Sequence, residues 1–106
     1  MRYLMTSKGG DAPDEKLFTE MAAFIEEMTA NGVLLATGGL APSGVRLTSA
    51  DGEITVTDGP FTEAKEAVAG FALVEVRSKE EAIELARRFR RIVGDGESVI
   101  QEVFGP

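Results

Sequence analysis

At 106 residues, 43% of them apolar and 27% charged, the chain has the size and balance of one globular domain, enough to bury a single core and too little for two. Eleven Lys and Arg against eighteen Asp and Glu give a net charge of −7, which repels nucleic acid and anionic lipid at long range. Cysteine and histidine are both absent, which removes disulfides, a thiolate nucleophile, thiolate- or imidazole-bound metal and histidine-ligated haem. No cofactor is expected, and proton chemistry falls to Asp, Glu, Lys or Tyr3.

Residues 2–7 alternate as a first strand, and Lys8-Gly9-Gly10-Asp11 reads as a loop. Over residues 14–31, Leu17, Met21, Phe24, Ile25 and Met28 recur on one helical face, and Asn31-Gly32 is the stop. Residues 33–37 form a short apolar run bounded by glycines, a strand without a polar face. Residues 44–57 read as a polar, peripheral hairpin turning at Asp51-Gly52.

The longest strand candidate spans residues 68–76, with Phe71 and Leu73 facing one way and Ala72, Val74 and Val76 the other. Ser78 and Glu81 form a capping box that opens a second helix, whose Ala82, Leu85, Ala86, Phe89 and Val93 share a side up to Gly94. Residues 98–104 close the chain as a strand in which Val99 and Val103 oppose Ile100 and Phe104.

This order predicts a single α+β domain, a ferredoxin-like sandwich with an inserted β-hairpin. Two helices cover one face of the sheet. Apolar side chains from several strands remain on the other, so a homodimer is expected, with the second copy covering that face. No apolar run has the length of a signal peptide or a membrane span, so a cytoplasmic location is expected.

The most unusual stretch is Thr57-Asp58-Gly59-Pro60-Phe61-Thr62-Glu63-Ala64-Lys65-Glu66. It resembles the signature of the YCII-related family, in the branch called DGPF proteins. The likeness extends to Gly38-Gly39-Leu40, residues 70–76 and the Ser78-capped helix, and so to nearly the whole chain. The resemblance implies a dimeric α+β barrel in which two sheets pack face to face. It also implies a biochemical role that is largely undefined: members are described as candidate enzymes, some resembling partners encoded near extracytoplasmic-function sigma factors. Better-known members carry a His-Asp pair proposed as catalytic. Without a histidine, this chain departs from that pattern.

Physically, Pro60 fixes its own φ and holds Gly59 extended, so the loop is expected to be stiff. Such a loop can hold Asp58, Thr62, Glu63 and Lys65 at the rim of a cleft, giving carboxylates and an ammonium group for a small-molecule ligand. Asp58, Glu63 and Lys65 are the candidate catalytic groups, and Thr62 and Tyr3 the candidate ligand contacts. A shaped turn with one apolar anchor explains the same residue types.

The run Arg87-Arg88-Phe89-Arg90-Arg91 suggests phosphate binding superficially, but basic residues suit a helix C-terminus and Phe89 belongs to the apolar face. Neither glycine pair has a phosphate-loop pattern, and Asp51-Gly52-Glu53 and Asp95-Gly96-Glu97 read as turns rather than calcium loops. Two functions follow: a cofactor-independent enzyme or small-molecule-binding protein with its site near residues 58–65, or a non-catalytic dimeric module accessory to a regulator such as a sigma factor.

Overall fold

The computed structural model describes residues 1–59 and 68–105. In chain order they form β1 (Arg2–Lys8), α1 (Glu15–Ala30), β2 (Leu34–Gly39), β3 (Val45–Ala50), β4 (Glu53–Asp58), β5 (Gly70–Glu75), α2 (Lys79–Val93) and β6 (Glu97–Glu102). The strands β2-β5-β1-β6 make one antiparallel sheet, while β3 and β4 pair only with each other. This is the ferredoxin-like order with a hairpin inserted between the second and third strands of the motif.

Both helices begin where a side chain satisfies an orphan backbone donor. The Leu17 N–H donates to Asp14 at 2.8 Å, and the Glu81 N–H donates to Ser78 Oγ at 3.1 Å. The capping box of α2 is displaced by one residue, because the Glu81 carboxylate accepts from the Arg77 N–H at 3.1 Å. Gly32, at φ 73°, follows α1 in the left-handed conformation that glycine tolerates best.

Register divides the sheet cleanly. Tyr3, Met5 and Ser7 share the helix-covered face with Val74, Ala72 and Gly70 of β5, and with Ile100 and Ser98 of β6. The core cluster Tyr3, Val74, Val76 and Ala82 lies there, supported by Val33, Leu34, Leu85 and Ile100. Leu4, Leu73, Phe71 and Val99 occupy the open face.

Three strand extents shift. The second strand runs on through Gly38 and Gly39, which pair with Phe71 and Gly70. A Cβ at position 38 would meet the Phe71 ring at 3.0 Å, so the missing side chain lets that ring cross the strand. The fifth strand starts at Gly70 rather than at residue 68, leaving Val68 exposed before the ladder begins. The last strand ends at Glu102. Beyond it the Val103 N–H still bonds Arg2 O at 2.9 Å, while Phe104 is 85% exposed and does not join Ile100 under the helices.

The hairpin turns through Asp51 at φ 50° and Gly52 at φ 82°, the paired positive values of a type I′ turn. It is less polar than expected. Val45, Leu47, Ile54 and Val56 all fall on one face by register, and all four are exposed, Leu47 at 65% and Ile54 at 67%.

Candidate functional site

Helices and sheet do not close completely on one another. A cavity of about 360 Å³ lies between them, walled by Met21, Phe24 and Met28 of α1, Leu85 and Phe89 of α2, and Met5 of β1 among others. Its size is that of a small-molecule site, and thioethers and aromatic rings are adaptable walls for such a site. Ser7 and Thr37 supply the polar side chains of the lining. Thr37 Oγ1 donates to Phe71 O at 2.9 Å.

Ser7 is 8% exposed, the buried polar residue of this layer. Its Oγ lies 3.0 Å from Ser98 Oγ across the β1–β6 register. Ser98 Oγ in turn accepts from Arg90 Nη1 at 3.3 Å. The Arg90 guanidinium also donates to Lys8 O, Gly9 O and Gly94 O, which ties the two glycine-containing loops at this end of the sheet. Crowding keeps those loops glycine-rich: a Cβ at Gly96 would lie 2.5 Å from Lys8 O and one at Gly94 2.3 Å from the Asp11 carboxylate.

Tyr3 is 5% exposed and packs into the core cluster rather than around the cavity. Loss of water around its hydroxyl, then the nearby Glu102 and Glu80 carboxylates, hold its pKa above the ordinary value, so it stays a neutral phenol at physiological pH. Asp58 ends β4 opposite Val45 and is exposed, in a different sheet from Tyr3. Thr62, Glu63 and Lys65 lie outside the described residues.

The described residues on either side of them are held by backbone hydrogen bonds. Before them, the Gly59 N–H donates to Gly44 O at 2.7 Å. After them, the Ala69 N–H donates to Ser7 O at 2.7 Å and Ala69 O accepts from Leu40 at 2.9 Å, with Ala69 and Gly70 in the cavity wall.

The basic run is mostly committed to structure. Arg88 forks onto Glu27 at 2.7 and 3.2 Å, joining α2 to α1, and lies over the Phe24 ring at 4.8 Å. Arg87 pairs with Glu84 within α2. Among the described residues no group of His, Cys, Asp or Glu is arranged to hold a metal ion. No helix there is long and apolar enough to cross a membrane.

Sequence reasoning pointed to the Asp58 segment and missed Ser7, Thr37 and Arg90. The available signal was Ser7 itself, a small polar residue on the inward side of an alternating strand.

Fold and site together define a ferredoxin-like α+β sandwich, the subunit type of the dimeric α+β barrel, with an apolar cavity under its helices. The chain belongs to the YCII-related domain family, whose profile matches residues 1–103. An uncharacterized protein of Rhizobium meliloti (strain 1021) is 33% identical over 85 residues, covering 78% of this chain and 68% of that protein.

Among solved structures, 5-chloro-2-hydroxyhydroquinone dehydrochlorinase (TftG) from Burkholderia phenoliruptrix AC1100, in complex with 2,5-dihydroxybenzoquinone, superposes with a TM-score of 0.53. It is 17% identical, and the match covers 100% of this chain and 96% of that one, a likeness of fold. CutA1 from Pyrococcus horikoshii OT3 gives a TM-score of 0.44 at 11% identity, covering 100% and 86% of the two chains.

Proposed function

We propose that this protein binds a small, largely apolar organic molecule in the cavity between its helices and its sheet. The carrying observation is a void of about 360 Å³ where a monomer's core would ordinarily be filled, with walls almost wholly of apolar side chains. Chemistry on the bound molecule falls to the Asp58 segment. Asp58, Glu63 and Lys65 are the proposed catalytic groups, with Thr62 as a ligand contact; Tyr3, packed into the core cluster away from the cavity lining, is not assigned that role. What supports the catalytic assignment is sequence proximity: the segment that begins at Asp58 leads to Ala69, which lines the cavity.

The working unit in this reading is a homodimer. Strands spaced about 4.8 Å apart with a rise of about 3.4 Å per residue give the four-stranded open face a flat footprint of roughly 400 Å². The hairpin's aliphatic face adds roughly 200 Å² on the same spacings. Two such copies reach about 1,200 Å², the lower bound for a stable pair, which the sheets alone do not reach. The radius of gyration supports an arm built to grip a partner: it is 15.9 Å, against about 13 Å for a compact chain of this length.

The test is a fluorescence titration with 2-isopropylnaphthalene, a neutral hydrocarbon. Saturable binding that Met21→Trp weakens at least tenfold by filling the cavity is the expected result. Asp58→Ala should abolish turnover of a bound substrate while leaving the fold and the hydrocarbon affinity unchanged. The exposed hairpin also favours a second reading, a non-catalytic module whose product is the dimer itself. That reading expects no saturable entry of the hydrocarbon.

A further inference from the structure

We infer that the cavity selects ligands carrying a neutral hydrogen-bond acceptor, a ketone, quinone or ester carbonyl, and that Ser7 is the residue that reads it. This rests on the reading of the cavity as a ligand site. The hydroxyl hydrogens of the polar corner outnumber the acceptors that they meet there. Ser7 and Ser98 have one each, and one bond joins the two oxygens at 3.0 Å. Among the described residues neither hydroxyl finds another acceptor, so one hydrogen of the pair is left over.

Arg90 decides where the spare hydrogen goes when a ligand is present. Its Nη1 donates to Ser98 Oγ at 3.3 Å, which polarises the Ser98 O–H and favours its donation to Ser7. Ser7 then presents its own hydrogen to the cavity that it lines. The pair can reverse direction in concert without losing its mutual bond, so a carbonyl gains a donor at no cost in broken hydrogen bonds. The direction also suits the field: a guanidinium at the far end of the relay favours the negative end of a ligand dipole. Thr37 offers no such donor, because its hydroxyl hydrogen is held by Phe71 O.

Among the described residues no charged side chain lines the cavity, so a carboxylate or phosphate ligand would find no counter-ion among them. The preferred ligand is therefore neutral, apolar over most of its surface, and tipped with a carbonyl at the Ser7 end.

The test compares 2-acetylnaphthalene with 2-isopropylnaphthalene, which have nearly the same shape and differ in the carbonyl. Wild-type protein is expected to bind the ketone about three- to tenfold more tightly, the worth of one neutral hydrogen bond. Ser7→Ala should remove that preference while keeping the hydrocarbon affinity, which shows that the variant is folded. Ser98→Ala should reduce the preference part-way.

Equal affinities in the wild type, with both probes bound, would overturn the role of Ser7 and leave the cavity reading standing. Persistence of the preference in Ser7→Ala would overturn it likewise. Failure of both probes to bind would overturn the cavity reading and this inference with it.

Discussion

The two faces of the four-stranded sheet are made by alternate residues of the same strands, yet they end in opposite conditions. On the covered face, Tyr3 and Val74 reach core burial against Ala82, while a few residues along the same strands Met5 and Ala72 border a hollow. On the open face, Leu4, Leu73 and Phe71 form an apolar centre that runs out to Val99, itself 44% exposed. Ion pairs flank it, Arg2–Glu75 at 3.2 Å and Lys8–Glu97 at 3.3 Å. An apolar centre with a charged rim is the anatomy of a protein interface, and an apolar hollow with one polar corner is the anatomy of a ligand site. In the proposed reading, one alternating pattern serves two kinds of partner, separated by the thickness of a β-sheet.

Leu73→Lys would break that division most severely. It places an ammonium group in the middle of the open face, and we expect it to weaken self-association by about 2–4 kcal/mol, thirtyfold or more in Kd. Sedimentation would read that loss, with the far-ultraviolet circular dichroism unchanged. Leu85→Ala attacks the other face, where the side chain supports the core cluster. It should cost about 2 kcal/mol in urea unfolding, the low end for such a truncation because the site already borders a cavity, and should leave the association state alone. If each variant produced the other's phenotype, the assignment of the two faces would be reversed.

Asp14→Ala and Ser78→Ala test the helical layer that only the covered face possesses. Each removes an N-cap and should lower stability by about 1 kcal/mol, measured by thermal melting. The smallest effect is expected from Glu27, which joins the two helices through Arg88. The hydrogen bond from Arg88 holds the Glu27 carboxyl below its usual pKa, so the stabilising contribution is present above the unfolded-state value and is lost as pH falls through the lowered folded value. The difference in melting temperature between wild type and Glu27→Gln should therefore be small at neutral pH and vanish in acid. Added salt should shrink it too, since both side chains are about half exposed.

Much of this architecture was readable because its causes are local. Ser78 announces a helix start by side-chain chemistry within three residues, and the alternation at residues 71–76 sorts side chains to faces before any partner strand is known. The extent of β2 was not readable. Gly38 and Gly39 look like a boundary until the Phe71 ring, 33 residues away from Gly38 in sequence, shows why glycine is required inside the strand.

The cavity was hidden for the same reason. Met5, Phe24 and Leu85 meet only in the folded chain, and nothing about any one of them marks a void. The Asp58 segment drew attention through its unusual local composition, whereas the polar corner at Ser7 depends on Ser98 and Arg90, more than eighty residues further along. Arg90 illustrates the limit: in sequence it is one of four arginines in a basic run, and in the fold it binds two loops and a serine.

Sedimentation velocity of the wild-type chain at micromolar concentration tests most directly the claim that the sheet serves a ligand on one face and a twin on the other. A single boundary at twice the chain mass of 11.3 kDa, shifting to the monomer for Leu73→Lys, is the expected result. A wild-type monomer that stays soluble with its open face and hairpin in water would contradict the claim.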